Sequence, residues 1–385
     1  MYKMFILDSS ITVKIIVYTL LFIFIMTLIN KWLNYIKQPY PPQSQNTSNI
    51  ESFENPPELQ PASKPASKPA SQPSKPSYTK FINSSTPLFN ASNSYLSSMN
   101  SSNLRARHIT LESQLQQYSS SLLEITDVDK SAVNEFIGLI VEMLEMKGTN
   151  HATRCKNFML HMLRKIRIAK GNAWLESGMP HTHQDIIVFP ASWFNEIANT
   201  STRTNQIKIS ENGGTLVHEI IHVLQRIYPA KFANLYKQWN FTNARYIDNF
   251  NEIQKLSRAN PDGLDINWIW RTPAQSTISK YYWLGAIFKS PVPSSLTEVD
   301  YVAISVYDIG RGNFKMTEEA PIPLGKLAEL RNFYGITNNH YHPNEIVAEY
   351  FSIWFNKTIG TVPNPTQGDK PAYRIFESWL DSDIL

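Results

Sequence analysis

The stretch that most constrains this chain is His218-Glu219-Ile220-Ile221-His222. Histidines at i and i+4 share one face of a helix, so both imidazoles can reach a single metal ion. Glu219 is offset by one position. There it can stand beside the ion without ligating it and take a proton from water. The neighbouring residues suit such a helix, because Leu216, Val217, Ile220, Ile221, Val223 and Leu224 give it an apolar face to bury. The pattern predicts a helix that starts at Gly213-Gly214-Thr215, runs from Leu216 to about Ile227 and stops at Pro229. With nine histidines in 385 residues, chance supplies roughly 0.01 such matches.

A catalytic zinc usually takes three protein ligands and keeps one position for water. A metzincin pattern would need Gly at position 225 and His at position 228, where this chain has Gln225 and Tyr228. The leading candidate for the third ligand is Glu345, within His342-Pro343-Asn344-Glu345. Pro343 suits a helix start, and Glu345 and Glu349 then share a face. Two like charges at that spacing are unfavourable unless a cation faces them. Glu349, His340 and His342 are the other candidates for the third ligand. Glu349 can also accept the N–H of His218 and fix its tautomer. For the donor to a tetrahedral oxyanion, His342 and Tyr350 are favoured over Tyr341 and His340.

The pair of motifs, HExxH on one helix and Asn344-Glu345-x-x-x-Glu349 on a later one, resembles the gluzincin zinc metallopeptidases. There Asn-Glu-x-x-x-Asp commonly completes the site. Here Glu349 replaces the Asp, and the 122 residues between His222 and Glu345 exceed the usual spacing. The resemblance covers these two motifs. It implies a zincin-like α+β domain with the active-site helix under a small mixed sheet and helices elsewhere. It also implies one catalytic Zn2+ on His218, His222 and Glu345, and Glu219 as general base. The substrate would be a peptide or protein, cleaved internally rather than from an end. It would add as a strand to a sheet edge, for which Asp185–Pro190 is the candidate. His181 and His183 precede that segment on one strand face.

The order of elements independently argues α+β. Apolar spacing predicts helices over 131–146, 152–168, 231–254 and 343–355. Strands are expected at 185–190, 207–210, 281–288 and 299–309, and Asn260-Pro261-Asp262-Gly263 reads as a turn.

Upstream the composition changes. Ile11–Asn30 is uncharged from Ile15 to Ile29, and about 19 residues at about 1.5 Å each span a bilayer core. Residues 1–36 are therefore expected to hold an uncleaved transmembrane anchor, with Trp32, Tyr35 and Tyr40 as an interfacial belt. Residues 37–103, with PASKPASKPASQPSKPS at 61–77, read as a disordered Pro/Ser/Asn-rich linker, and 104–385 as the folded domain. The whole then reads as a single-pass membrane protein. Its Asn- and Ile-rich composition suits an AT-rich genome such as that of a large DNA virus.

A net charge of +4 gives no reason to expect a nucleic-acid partner. The lone Cys155 excludes an intrachain disulfide framework and a four-thiolate zinc site. Two other readings fit the same residues. One is a catalytically inactive, zinc-stabilised binding module. The other is a structural membrane or envelope protein with a chance HExxH.

Overall fold

The computed structural model describes residues 77–83, 93–200, 206–263, 267–273, 279–335, 340–361 and 369–384. The first of its two sheets contains β1 (Lys80–Ile82), β2 (Leu122–Leu123), β3 (Arg167–Gly171), β4 (His181–His183) and β5 (Ile186–Pro190). Its order is β1-β3-β5-β4, with β2 also pairing β3. Strands β1, β3 and β5 run parallel, and β4 runs antiparallel to β5. Every residue of β5 is buried, as its Ile-Ile-Val-Phe run requires of a strand covered on both faces.

The second sheet has seven strands. They are β6 (Phe241–Asn243), β7 (Tyr246–Asp248), β8 (Trp268–Arg271), β9 (Tyr281–Phe288), β10 (Val299–Gly310), β11 (Asn313–Met316) and β12 (Ile322–Pro323). All pairings are antiparallel except β11 with β7. Side chains alternate across a strand, and the core divides accordingly. Tyr282, Leu284, Ala286 and Ala303 join the main core. Trp283, Val302, Ile304 and Val306 pack on the other face with Ile247, Ile269 and Phe314.

Local chemistry sets the helix ends. The helix Asp127–Lys147 opens on a capping box, in which Thr126 accepts from Asp129 N–H and the Asp129 carboxylate accepts in return. It closes on Gly148 at φ 62, a left-handed position that glycine adopts without a Cβ penalty. The helix that carries the HExxH residues, here the motif helix, spans Gln206–Ile227. The helix that carries Glu345, here the glutamate helix, spans Pro343–Ile359, with Pro343 in its first turn and Gly360 left-handed after its end.

These two helices pack directly on each other. Leu216, Val217, Ile220 and Leu224 of one share a core with Ile346, Val347, Phe351 and Phe355 of the other. Gly213 and Gly214 make the approach possible. A Cβ on Gly213 would lie 2.8 Å from Phe355 Cε1, and one on Gly214 2.7 Å from Ser352 Oγ. Each glycine costs about 1 kcal/mol of helix propensity, which the close contact offsets. Ser210 Oγ adds a hydrogen bond of 2.8 Å to Asn356 Oδ1.

Several expectations are corrected. The motif helix begins at Gln206, so the two glycines lie inside it and Ile207–Ser210 is helix rather than strand. The segment expected as one helix over 152–168 splits into the helix Asn150–Leu163 and strand β3. The region 231–254 contains β6 and β7 between short helices, because β8 and β11 offer them pairing edges. The expected zincin-like layout of one small sheet with helices elsewhere gives way to a mixed α/β fold with the larger second sheet. Part of the expected linker joins the fold, since β1 pairs β3 and helices form at Ser94–Ser98 and Ser101–Ala106. The expected single-pass membrane anchor is not supported. No helix among the described residues is long and apolar enough to cross a membrane, and the stretch 11–30 lies outside them.

Overpacking of the helix crossing is directly measurable. Gly213→Val should lower unfolding stability by about 1–3 kcal/mol, read from urea denaturation. A variant as stable as the parent would mean that the helices separate without cost.

Candidate metal centre

The helix crossing brings Glu345 over the two histidines. Glu345 Oε2 lies 3.4 Å from His218 Nε2 and 3.7 Å from His222 Nε2. One donor atom from each of the three residues falls within 4.8 Å of the others, the only such group among the described residues. The imidazole rings stand 4.7 Å apart at 75°. His218 keeps 16% of its side-chain surface open, against 1% for His222 and 7% for Glu345, so the cluster is reached from the His218 side.

The orientation of His222 is fixed from behind. Gln225 Oε1 lies 2.9 Å from His222 Nδ1. The Gln225 amide nitrogen donates to the Tyr236 hydroxyl at 3.1 Å and to the Asn344 carbonyl at 2.9 Å. Tyr236 donates in turn to Asn344 Oδ1 at 2.9 Å. With both amide protons committed, Gln225 presents only an acceptor to the ring. Nδ1 therefore carries the proton, and the lone pair sits on Nε2. That Nε2 is buried and has no hydrogen-bond partner among the described residues. An orphaned, correctly tautomerised imidazole nitrogen is what a metal ligand requires. Glu345 is treated similarly: Asn260 Nδ2 donates to its Oε1 at 2.6 Å, leaving Oε2 to the histidines. The residues present thus fit a metal ion.

Electrostatics agree with that chemistry. Burial depresses the His222 imidazole below its usual range, with Glu345 and Asp262 only partly opposing. Burial acts on His218 in the same direction, but its hydrogen bond to Glu345 and the charges of Glu219, Glu345 and Glu349 outweigh it and raise the imidazole to about 9. Burial would raise Glu345, yet His222 and His218 hold its carboxyl well below the carboxylate range. Burial, reinforced by Asp262, pushes Glu219 well up. Its Oε2 is buried and has no hydrogen-bond partner among the described residues.

A cleft of about 160 Å³ opens over the cluster, bordered by His218, Glu219, Glu345, His181, Arg258 and Tyr341 among others. His181 Nδ1 faces the Met179 carbonyl at 2.9 Å, so the ring's lone pair is on Nε2, which is buried. His183 borders a neighbouring cavity instead. The expected oxyanion donors lie elsewhere. Tyr350 is packed among Trp239, Tyr373 and Phe376 and donates to the Tyr334 carbonyl at 3.0 Å. His342 caps the glutamate helix, its Nδ1 accepting from Asn344 N–H. His340 is buried against Tyr334. Tyr341 is the aromatic residue of this group in the cleft. Its hydroxyl oxygen accepts from Asn260 Nδ2 at 3.0 Å and from Arg258 Nη2 at 3.3 Å.

One cleft-lining network has no signal in the sequence. Glu176 sits at φ 47, and its carboxylate accepts from Arg107 Nη2 at 2.8 Å, Tyr95 at 2.7 Å and Tyr118 at 2.6 Å. Burial would raise this carboxyl, but Arg107, with the Tyr118 hydroxyl, holds it at about 2. Its members come from separate segments with no recurring spacing, so nothing in the linear pattern marks them as a group.

No protein-family model, curated protein or solved structure matches this chain. The reading of the centre rests on its own geometry.

Two measurements test that reading. Gln225→Leu, which strips the acceptor from His222 Nδ1, should weaken zinc binding about 10–100-fold in a chelator competition, whereas Gln225→Glu should retain it. Equal affinity for the leucine variant would show that this contact does not set the tautomer. Metal binding must also displace the proton that His218 holds up to about pH 9. Zinc affinity should therefore rise about tenfold per pH unit from the ordinary imidazole range and level off above about 9. A flat profile would contradict the assignment of His218.

Proposed function

We propose that this chain is a zinc-dependent metallopeptidase with a gluzincin-type ligand set. The observation that carries the reading is the convergence of His218, His222 and Glu345 beside the buried Glu219 carboxylate, one oxygen of which has no partner among the described residues. Two imidazole nitrogens and one carboxylate oxygen are a donor set for Zn2+ that leaves a position open. When bound, the ion supplies Lewis acidity toward a peptide carbonyl and lowers the pKa of water.

The side chains do the rest. Glu219 Oε2 accepts the proton of the attacking water and passes it to the leaving amine nitrogen. The Tyr341 hydroxyl oxygen accepts from Arg258 and Asn260, so its own proton is directed to the developing oxyanion. Gln225 and Asn260 keep His222 and Glu345 in place. The substrate is a peptide or protein.

The full chain should hold about one zinc. Glu219→Gln should keep that zinc and lower hydrolysis of a mixed peptide library about 10²–10⁴-fold. A chain that binds no zinc at neutral pH, or a glutamine variant as active as the parent, would overturn the proposal.

A further inference from the structure

In the first sheet β4 is the edge strand at one end and β1 at the other, and β5 lies inside, between β3 and β4. The expectation that Asp185–Pro190 forms the edge is thereby corrected. Within β4, Thr182 is the residue whose backbone faces away from the sheet. Its N–H goes to Asp262 Oδ1 at 2.7 Å and its carbonyl accepts from Arg226 Nη2 at 3.3 Å. The two outward hydrogen-bonding groups of this short edge are therefore both taken.

The occupant is the turn Asn260–Gly263, closed by Gly263 N–H on the Asn260 carbonyl. Asp262 Oδ1 also accepts from Thr182 Oγ1 at 2.6 Å. The Pro261 carbonyl accepts from Arg226 Nη2 at 2.6 Å, as the backbone of a bound strand would. Asn260 reaches the Glu345 carboxylate. Cavities border this turn on both sides. The cleft of about 160 Å³ holds His218, Glu219 and Glu345. The other cavity, of about 420 Å³, is lined by Gln225, Phe232, Tyr236 and Trp268. Pro261 and Asp262 border both cavities. A third cavity, of about 650 Å³, meets Ser257–Asn260 and Gly263.

We infer that Pro261–Gly263, the part of this turn beyond Asn260, is an occluding strap, which holds the position of an extended peptide on the edge of β4 and divides one groove along the motif helix into two cavities, while Asn260 stays on Glu345. Its ligand is a peptide in extended form, whose backbone carbonyls take the place of the Asp262 carboxylate on Thr182 N–H and of the Pro261 carbonyl on Arg226. The exchange is nearly neutral, because an edge strand must have its polar groups satisfied and one set of hydrogen bonds replaces another. Release exchanges the polar contacts of the turn for contacts with the peptide, and the cavities on both sides give the displaced residues room. The identity of the ligand as a substrate rests on the metallopeptidase reading; the opening of the strap does not.

The test uses the full chain with Thr182→Cys and Asp262→Cys together, leaving the buried Cys155 in place. Oxidised, the new pair pins the strap; reduced, it frees it. The probe is a fluorescein-labelled peptide hydroxamate followed by anisotropy, with zinc content measured on every sample. The zinc-loaded oxidised form should bind the probe at least about tenfold more weakly than the same protein after reduction. Equal affinity would overturn the strap.

Hydrogen exchange on the parent without added metal is the second arm. The Thr182 amide should exchange at least about tenfold faster than the amides of β5, because local opening exposes it while the sheet stays intact. Equal rates would mean that Pro261–Gly263 is a fixed part of the fold, and would overturn the inference. A chain that holds no zinc defeats the metallopeptidase reading, while the exchange arm still decides the strap.

Discussion

The contact between the motif helix and the glutamate helix at Gly213 and Gly214 is the constraint on which the site depends. Helix axes normally stand about 8–10 Å apart, set by the side chains between them. Two consecutive residues without Cβ let Phe355 and Ser352 settle onto the backbone of the motif helix. The glutamate helix is thereby fixed in both distance and register. That register carries Glu345, near its N-terminus, over His218 and His222. The apolar residues on either side do not select this arrangement by themselves, since burial is indifferent to direction.

Around this crossing the fold buries an unusual amount of polar chemistry. Glu219, His222, Glu345, His181, Glu176 and Arg107 are all buried. Taking charge out of water is costly unless partners compensate. Arg107, Tyr95 and Tyr118 compensate Glu176 with hydrogen bonds. Gln225 and Asn260 satisfy the outer atoms of His222 and Glu345 and leave inner atoms facing one another. Among the described residues His222 Nε2 and Glu219 Oε2 are buried without a hydrogen-bond partner, and both belong to the cluster around Glu345. The convergence of two imidazoles and a carboxylate oxygen at that place is the physical argument for a metal site.

Much of this was legible in the sequence. The spacing of His218 and His222 on an apolar helix was readable because a helix repeats every 3.6 residues. Pro343 followed by Glu345 was readable because proline marks a helix start. The turn at Asn260-Pro261-Asp262-Gly263 was readable from its residues alone. Other parts were hidden. The glycine pair looked like a helix boundary because propensity counts glycine as a breaker. The packing that makes it useful lies more than a hundred residues downstream. Arg167 and Ile168 looked like the end of a helix because the strand character of Arg167–Gly171 comes from pairing with β1 and β5. Tyr341 and Tyr350 were indistinguishable as residue types near Glu345, although one lines the cleft and the other fills the core.

The sequence by itself determined the donor types, the spacing of the histidines and the two helices that carry the site, because local periodicity and helix-start chemistry act over a few residues. Tertiary structure alone decided how the helices cross and which carboxylate oxygen faces the imidazoles. It also decided which ring nitrogen bears the proton and which strand forms the edge. Each of these depends on groups brought together from distant positions. Asn260 selects the oxygen of Glu345, the Tyr236 and Asn344 pair orients Gln225, and Asp262 closes the edge at Thr182. Hydrogen bonds between such groups depend on distances of a few tenths of an ångström, which packing sets and linear spacing does not.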